Sequence, residues 1–229
     1  MSVNTSELAS PPNPAPIISV SESITIRPYR ASDAPVIVQS ANNIKIWRNL
    51  TDRFPHPYTL ADAKWWTKHC ADQSLWLSSK CPQGVDVAKL RYQDASVTDT
   101  EEILFPCDYA ICHNDLPIGS IGLEADPKHP RSLALGYWLA ESFWGKGIAT
   151  KAAAAFCDWA FDTFPWLARL DADAYGWNQG SQRVLKKLGF REEGRQRMKV
   201  CKEGKFGDMV LFGRLREDWK PVLMETQDP

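Results

Sequence analysis

Two short stretches of this 229-residue chain combine residue types that could do chemistry. The first, Gly145-Lys146-Gly147-Ile148-Ala149-Thr150, lies between an apolar run and an alanine-rich run. A phosphate group needs several N–H donors pointing into one concavity, and the first turn of a helix has unpaired N–H groups at its positive dipole end. Glycines allow close main-chain approach because no β-carbon stands in the way. The pattern is neither a P-loop, since G-x-x-x-x-G-K-[ST] is absent, nor a full dinucleotide fingerprint, which would need a third Gly at Thr150. Taken alone it also suits a tight strand-to-helix turn. The second stretch opens on Asn178-x-x-Ser181 and closes on Leu188-Gly189-Phe190. By itself it describes a helix with an Asn N-cap and a Gly after its last turn.

The elements that must position these stretches can be read from periodicity. Residues 133–140, LALGYWLA, form an apolar strand running into the glycine turn, and KAAAAFCDWAFDTF behind the turn is a helix stopped by Pro165. Leu167 to Tyr175 reads as a further strand, followed by the Asn178–Leu188 helix and two closing strands near Phe190–Val200 and Met209–Leu215. Upstream, ITIRPYR from Ile24 alternates like a half-buried strand. Ser32 and Asp33 can cap a helix from Ala34 to about Asn43, with Pro35 in its first turn. The stretch 44–59 is expected to be irregular, and Thr59 with Asp62 forms a capping box for a second helix. Leu104–His113 and the returning PIGSIGLEA read as a hairpin turning at Asn114-Asp115. Strands and helices in this order predict an α+β (mixed α/β) layered domain over about 23–220. Expected around it are a disordered Ser/Pro/Asn-rich tail over 1–22, a variable insertion over about 72–102 and a short C-terminal tail over 221–229.

Composition narrows the function classes. Net charge is −1, so no global basic field points to nucleic acid or an anionic surface. The segment 176–220 alone is basic, with twelve Lys and Arg against six Asp and Glu, which is usually a solvated face. Six cysteines form no C-x-x-C pair and the four His are scattered, so no metal is expected and the thiols read as reduced, in a cytoplasmic setting. Cys107 and Cys112 should face opposite sides of their strand. No apolar run approaches the ~20 residues of a membrane span, and the N-terminus lacks a signal-peptide pattern. Ten Trp could build a core or line an apolar groove.

Three ordered blocks, GYWLAESFWGKGIAT (136–150), NQGSQRVLKKLGFREEG (178–194) and EGKFGD (203–208), resemble the GNAT superfamily of N-acetyltransferases, most closely its RimJ/RimL-like branch. The resemblance spans about Ile24 to Trp219. It implies a central mixed sheet in which two parallel strands, here 133–140 and 167–175, splay apart between flanking helices. Acetyl-CoA would lie in the gap, its diphosphate on the amides of Gly145, Lys146, Gly147, Ile148, Ala149 and Thr150. Its pantetheine would pair with main chain at Trp138, Leu139 and Ala140. Asn178 would bind the cofactor arm, Ser181 would stabilise or protonate the leaving thiolate, and Arg183, Lys186 and Lys187 would meet the 3′-phosphate. Two departures stand out: Trp144 replaces the family's Arg or Gln before the first glycine, and Leu185 replaces a frequent general-acid Tyr.

The implied reaction is direct attack of a primary amine on the acetyl group through a tetrahedral intermediate. The acceptor would be a protein N-terminus or a small amine, and the enzyme a monomer or homodimer acting on neither nucleic acid nor membrane. A base must first take the ammonium proton, and an N–H near Leu139 would hold the oxyanion. Ala134 stands where RimL-like relatives often carry Glu, so the candidate bases are Glu124 and Glu193, either of which could equally be a solvated carboxylate. Two other classes stay open: a catalytically silent CoA-binding module, and a nucleic-acid-binding protein using the basic C-terminal face.

Overall fold

The computed structural model describes residues 15–80 and 102–219. Ten strands and five α-helices follow in the order β1 (Ile18–Ser19), β2 (Ile24–Pro28), α1 (Ala34–Ala41), α2 (Ile44–Trp47), α3 (Leu60–Cys70), β3 (Leu77–Ser78), β4 (Leu104–Phe105), β5 (Asp108–His113), β6 (Leu116–Ala125), β7 (Ser132–Leu139), α4 (Ile148–Thr163), β8 (Arg169–Tyr175), α5 (Gln179–Lys187), β9 (Arg191–Lys202) and β10 (Lys205–Leu215). Eight strands form one mixed sheet in the order β1-β2-β5-β6-β7-β8-β10-β9, while β3 and β4 pair separately. Every pairing in the large sheet is antiparallel except β7 with β8.

Local chemistry explains the elements. Thr59 and Asp62 make the reciprocal capping box that starts α3. Asn114 and Asp115, both at positive φ, turn the β5–β6 hairpin. The sheet's two faces carry different layers. On one, Leu133, Leu135, Leu139, Leu170, Ala172 and Ala174 pack with Phe156, Cys157, Phe161 and Leu185 of α4 and α5. On the other, Ala110 and Cys112 pack with Ala34, Ile37, Ala41 and Ala63 of α1 and α3. Cys107 joins the first layer and Cys112 the second, as the odd spacing predicts.

Several expectations are corrected. Order begins before Ile24, because Ile18–Ser19 pairs with β2; residues 1–14 lie outside the described residues. Helix α1 ends at Ala41, and Asp33 provides no side-chain cap for it. The Asp33 carboxylate instead grips Arg27 at 2.8 and 2.9 Å, an ion pair sealed from water. Residues 44–47, expected to be irregular, form one helical turn capped by Asn43. The strand expected over 104–113 breaks between Phe105 and Asp108, at Pro106, and its halves join different sheets. Of the insertion, residues 73–80 supply a 3-10 turn and β3, while 81–101 and the 220–229 tail lie outside the described residues.

Candidate active site

Strands β7 and β8 pair only at Ser132–Arg169, Leu133–Leu170 and Ala134–Asp171. Beyond Ala134, β7 stays paired with β6 as far as Leu139 but is no longer paired with β8. The two strands therefore splay, and residues 135–139 present an unpaired edge to a groove of about 2050 Å³. Ala140 N donates to Ile118 O on the β6 side. By the alternation of antiparallel pairing, the peptide groups of Leu139 point the other way, into the gap. Leu139 O there accepts from the Trp144 indole Nε1 at 2.6 Å. Trp144 thus ties the loop to the strand end, leaving Leu139 N–H as the donor that faces the gap. Trp138 and Ala140 are different: by the same alternation the Trp138 peptide groups face Ser120 on β6, while Ala140 N–H donates to Ile118 O and its carbonyl accepts from Phe143 N, so neither offers a main-chain group for the strand-like pairing expected there.

After a 3-10 turn at Glu141–Phe143 the chain enters the glycine turn. Gly145 and Gly147 sit at φ 73° and 76°, in the left-handed region, and a β-carbon on either would point into open space. Among the described residues no carbonyl or side chain accepts from the amides of 145–150, whereas Lys151 N already donates to Gly147 O. Six consecutive N–H groups thus stand free at the N-terminus of the sixteen-residue α4, where its dipole favours an anion.

Across the gap, Asn178 Oδ1 caps α5 by accepting from Ser181 N at 3.1 Å. Ser181 Oγ and Tyr137 Oη share a hydrogen bond of 2.9 Å. Burial pushes the Tyr137 phenol up to about 12, against the lowering effect of Ser181, so it stays protonated at neutral pH. Sequence reading missed Tyr137; its signal was the Tyr inside GYW, on the alternation that also turns Leu135 and Leu139 toward α4. Leu185, where the resemblance looks for a Tyr, is wholly buried in the core. Arg183 and Lys187 line the groove, while Lys186 pairs with Glu192 at 3.2 Å.

The groove continues onto the α1–α3 face. Glu124 reaches it, exposed and forked by Arg53 Nη2 at 3.1 and 3.0 Å. The 44–58 segment roofs this side. It is held by Tyr175 Oη to Leu50 O at 2.9 Å, Trp177 Nε1 to Arg48 O at 3.2 Å and Lys202 Nζ to Asp52 at 2.6 Å. Trp66 and Trp138 pack against this layer, whereas Trp159, Trp166 and Trp219 belong to the α4 side, so the tryptophans serve both core and groove. Glu193 is not brought to the groove. Arg169 binds both its oxygens, at the closed end where β7 and β8 are still paired, and holds its carboxyl below the usual range. Asp108, which sequence reading passed over, does line the groove, and burial followed by the nearby Glu124 pushes its carboxyl up to about 7.

A profile of the acetyltransferase (GNAT) domain matches residues 23–191. The chain belongs to the GNAT family. Among curated relatives, YdaF of Bacillus subtilis (strain 168), whose name assigns it provisionally to the ribosomal N-acetyltransferases, is 33% identical over 102 residues, covering 44% of this chain and 55% of its own. The p20 protein of Bacillus licheniformis, an uncharacterized N-acetyltransferase, is 29% identical over 105 residues, covering 46% and 58%. The chain thus spans about half the length of the curated relatives it matches. Among solved structures, RimL, a ribosomal L7/L12 alpha-N-protein acetyltransferase in complex with coenzyme A, superposes with a TM-score of 0.66 at 18% identity, over 88% of this chain and 98% of that one. The microcin C7 self-immunity acetyltransferase MccE, in complex with acetyl-CoA and AMP, gives 0.65 at 16% identity, over 90% and 97%. These likenesses show the fold, the mixed GNAT sheet flanked by helices. Among the described residues no helix is long and apolar enough to cross a membrane, and no group of three His, Cys, Asp or Glu is placed to hold a metal ion.

Proposed function

We propose that this GNAT protein is an N-acetyltransferase that moves the acetyl group of acetyl-CoA to a primary amine, either a protein N-terminus or a small amine, in the cytoplasm. One observation carries the reading: six consecutive unpartnered amides at the start of α4 follow directly on a splayed strand pair. The cradle fits a diphosphate, because both glycine α-carbons are open to it and no side chain fills the space. The free β7 edge fits an extended pantetheine arm, and Arg183 and Lys187 suit a 3′-phosphate. Acetyl-CoA supplies an activated thioester. The protein's own groups do the rest: Leu139 N–H is aimed where charge develops on the carbonyl oxygen, and Ser181, backed by the protonated Tyr137, is placed to give the leaving sulfur a proton.

The Tyr137–Ser181 pair supports an enzyme over a silent CoA-binding module, because it sets a hydroxyl donor beside the gap, where a leaving thiolate needs a proton. The basic count of the C-terminal third also disperses. Arg191, Arg195 and Lys202 are all in ion pairs, so part of that basic count is neutralised within the protein. The names of RimL and YdaF point to ribosomal-protein N-termini as the first acceptors to try. The test is calorimetric titration with acetyl-CoA followed by a thiol-release assay against N-terminal peptides and small amines. Binding and turnover are expected; failure to bind acetyl-CoA at millimolar concentration refutes the proposal.

A further inference from the structure

We infer that Asp108 is the catalytic residue that takes the proton from the incoming ammonium, and that the acceptor reaches the gap along a trench floored by Gly122 and Gly136. The inference rests on the acetyl-transfer reading above and assigns the group that reading leaves open.

Asp108, Gly122 and Gly136 are consecutive register partners across β5, β6 and β7. Neighbouring strands lie about 4.8 Å apart, so the row crosses roughly 10 Å of sheet. A β-carbon at 122 would overlap Asp108 Oδ1, which means that the carboxyl leans over Gly122 toward β7. A β-carbon at 136 would meet nothing. Gly136 lies two residues past Ala134, the last residue of β7 paired with β8, so the open row ends at the splay itself. Side chains flank the trench on both sides: Ser120 and Trp138 form one neighbouring row, Glu124 and Ala134 the other.

Among the described residues no donor binds the Asp108 carboxyl, in contrast to Glu124, both of whose oxygens are held by Arg53. The groups facing Asp108 are Glu124 on β6, Arg53 from the segment before α3, Cys70 on α3, Tyr29 after β2, and its neighbours Cys107 and Tyr109. Burial raises both thiols and both phenols, which are therefore neutral at pH 7, so only Glu124 and Arg53 carry charge there. Asp173 lies across the gap on the same face, its carboxyl raised by burial and then by Glu124. An ammonium entering this trench meets carboxyls with one competing cation, and that cation is already committed.

The proton path then crosses the sheet. Tyr137 and Ser181 lie on the α4–α5 side of the gap, Asp108 on the α1–α3 side. Asp108 takes one ammonium proton, and the freed lone pair forms the C–N bond while the carbonyl electrons move onto oxygen; the C–S bond breaks when the carbonyl re-forms. The nitrogen sheds its second proton to water. The thiolate gains a proton from Ser181, which water refills, and Asp108 returns its own to water. One proton is released per acetyl transferred.

The test compares wild-type protein, Asp108→Asn and Glu124→Gln, using serine- and alanine-initiated hexapeptides and a short diamine as acceptors. Asp108→Asn should lower kcat/KM at pH 7 about a hundredfold or more and abolish the rise in rate that wild type shows as pH increases through about 7. Acetyl-CoA affinity should stay within threefold. Glu124→Gln should keep the rise but move it to lower pH, because Glu124 is one of the two causes that raise the Asp108 carboxyl. Independently of turnover, a carboxyl carbon resonance of the unliganded protein should titrate near neutrality and vanish in Asp108→Asn. An Asp108→Asn protein that keeps both rate and pH profile overturns the inference alone, as does loss of the rise in Glu124→Gln instead. A wild type that binds acetyl-CoA but acetylates no amine overturns the acetyl-transfer reading beneath it.

Discussion

Replacing Gly147 by Ala separates the diphosphate cradle from ordinary turn geometry. Gly147 is the N-cap of α4 at φ 76°, so any L-residue there adopts the left-handed region at about 1–2 kcal/mol. For a domain of this size that lowers Tm by roughly 2–8 °C. The new methyl meets no protein atom and points into the open space beside the free amides. A phosphate held by those amides must retreat, losing at least one charge-assisted hydrogen bond of about 1.5–3 kcal/mol, or roughly tenfold to a hundredfold in the Kd for acetyl-CoA. Gly189 provides the matched control. It sits at φ 81°, after the end of α5, where a β-carbon comes no closer than 3.9 Å to another group, Arg214 Nε. Gly189→Ala should cost a similar fall in Tm with no change in Kd. Differential scanning fluorimetry and isothermal titration calorimetry on the same preparations measure both quantities. Equal affinities in wild type and Gly147→Ala, alongside the drop in Tm, would refute the argument that these amides hold the cofactor.

Three further outcomes test neighbouring parts of the structure. Ser181→Ala should reduce kcat about a hundredfold while acetyl-CoA affinity stays within threefold, and Tyr137→Phe should do the same more weakly, because it removes only the hydroxyl bonded to Ser181 Oγ at 2.9 Å; steady-state kinetics with calorimetric Kd values checks the pair. The double change Arg183→Ala with Lys187→Ala should weaken coenzyme A about fivefold at low salt but leave dephospho-coenzyme A unchanged, since the role proposed for these exposed groove-lining cations is to meet only the 3′-phosphate. Asp33→Ala should lower stability by about 3 kcal/mol, and Tm by roughly 6–12 °C, because it strips one partner from Arg27, a guanidinium 1% exposed that keeps only Asp115 and nearby carbonyls. Its acetyl-CoA affinity should not change.

What could be read in the sequence, and what could not, divides along the chemistry of each half of the groove. The cofactor half is made of main chain. Amides 145–150, the β7 edge and the Asn178 cap depend on where glycines, helix starts and strands fall, and those features are local in sequence. Periodicity therefore located the elements and the family resemblance supplied the splay, although neither could show that Ala140 spends both its peptide groups inside the protein or that Trp144 closes on Leu139. The acceptor half is made of side chains that meet only because of strand register. Asp108 is unremarkable beside Pro106-Cys107, and nothing local marks it as the carboxyl that leans over a glycine fourteen positions later. Glu193 failed for the complementary reason: its place in the conspicuous REEG says nothing about Arg169, its partner across the sheet. Glu124 was visible because it ends a strand, but its commitment to Arg53 was not. A base shifted from β7 to a strand two places away is also consistent with Ala134. Once the carboxyl is carried on β5, the β7 position must be small, and the glycines at 122 and 136 become necessary because any side chain there would stand between the carboxyl and the nitrogen it must reach.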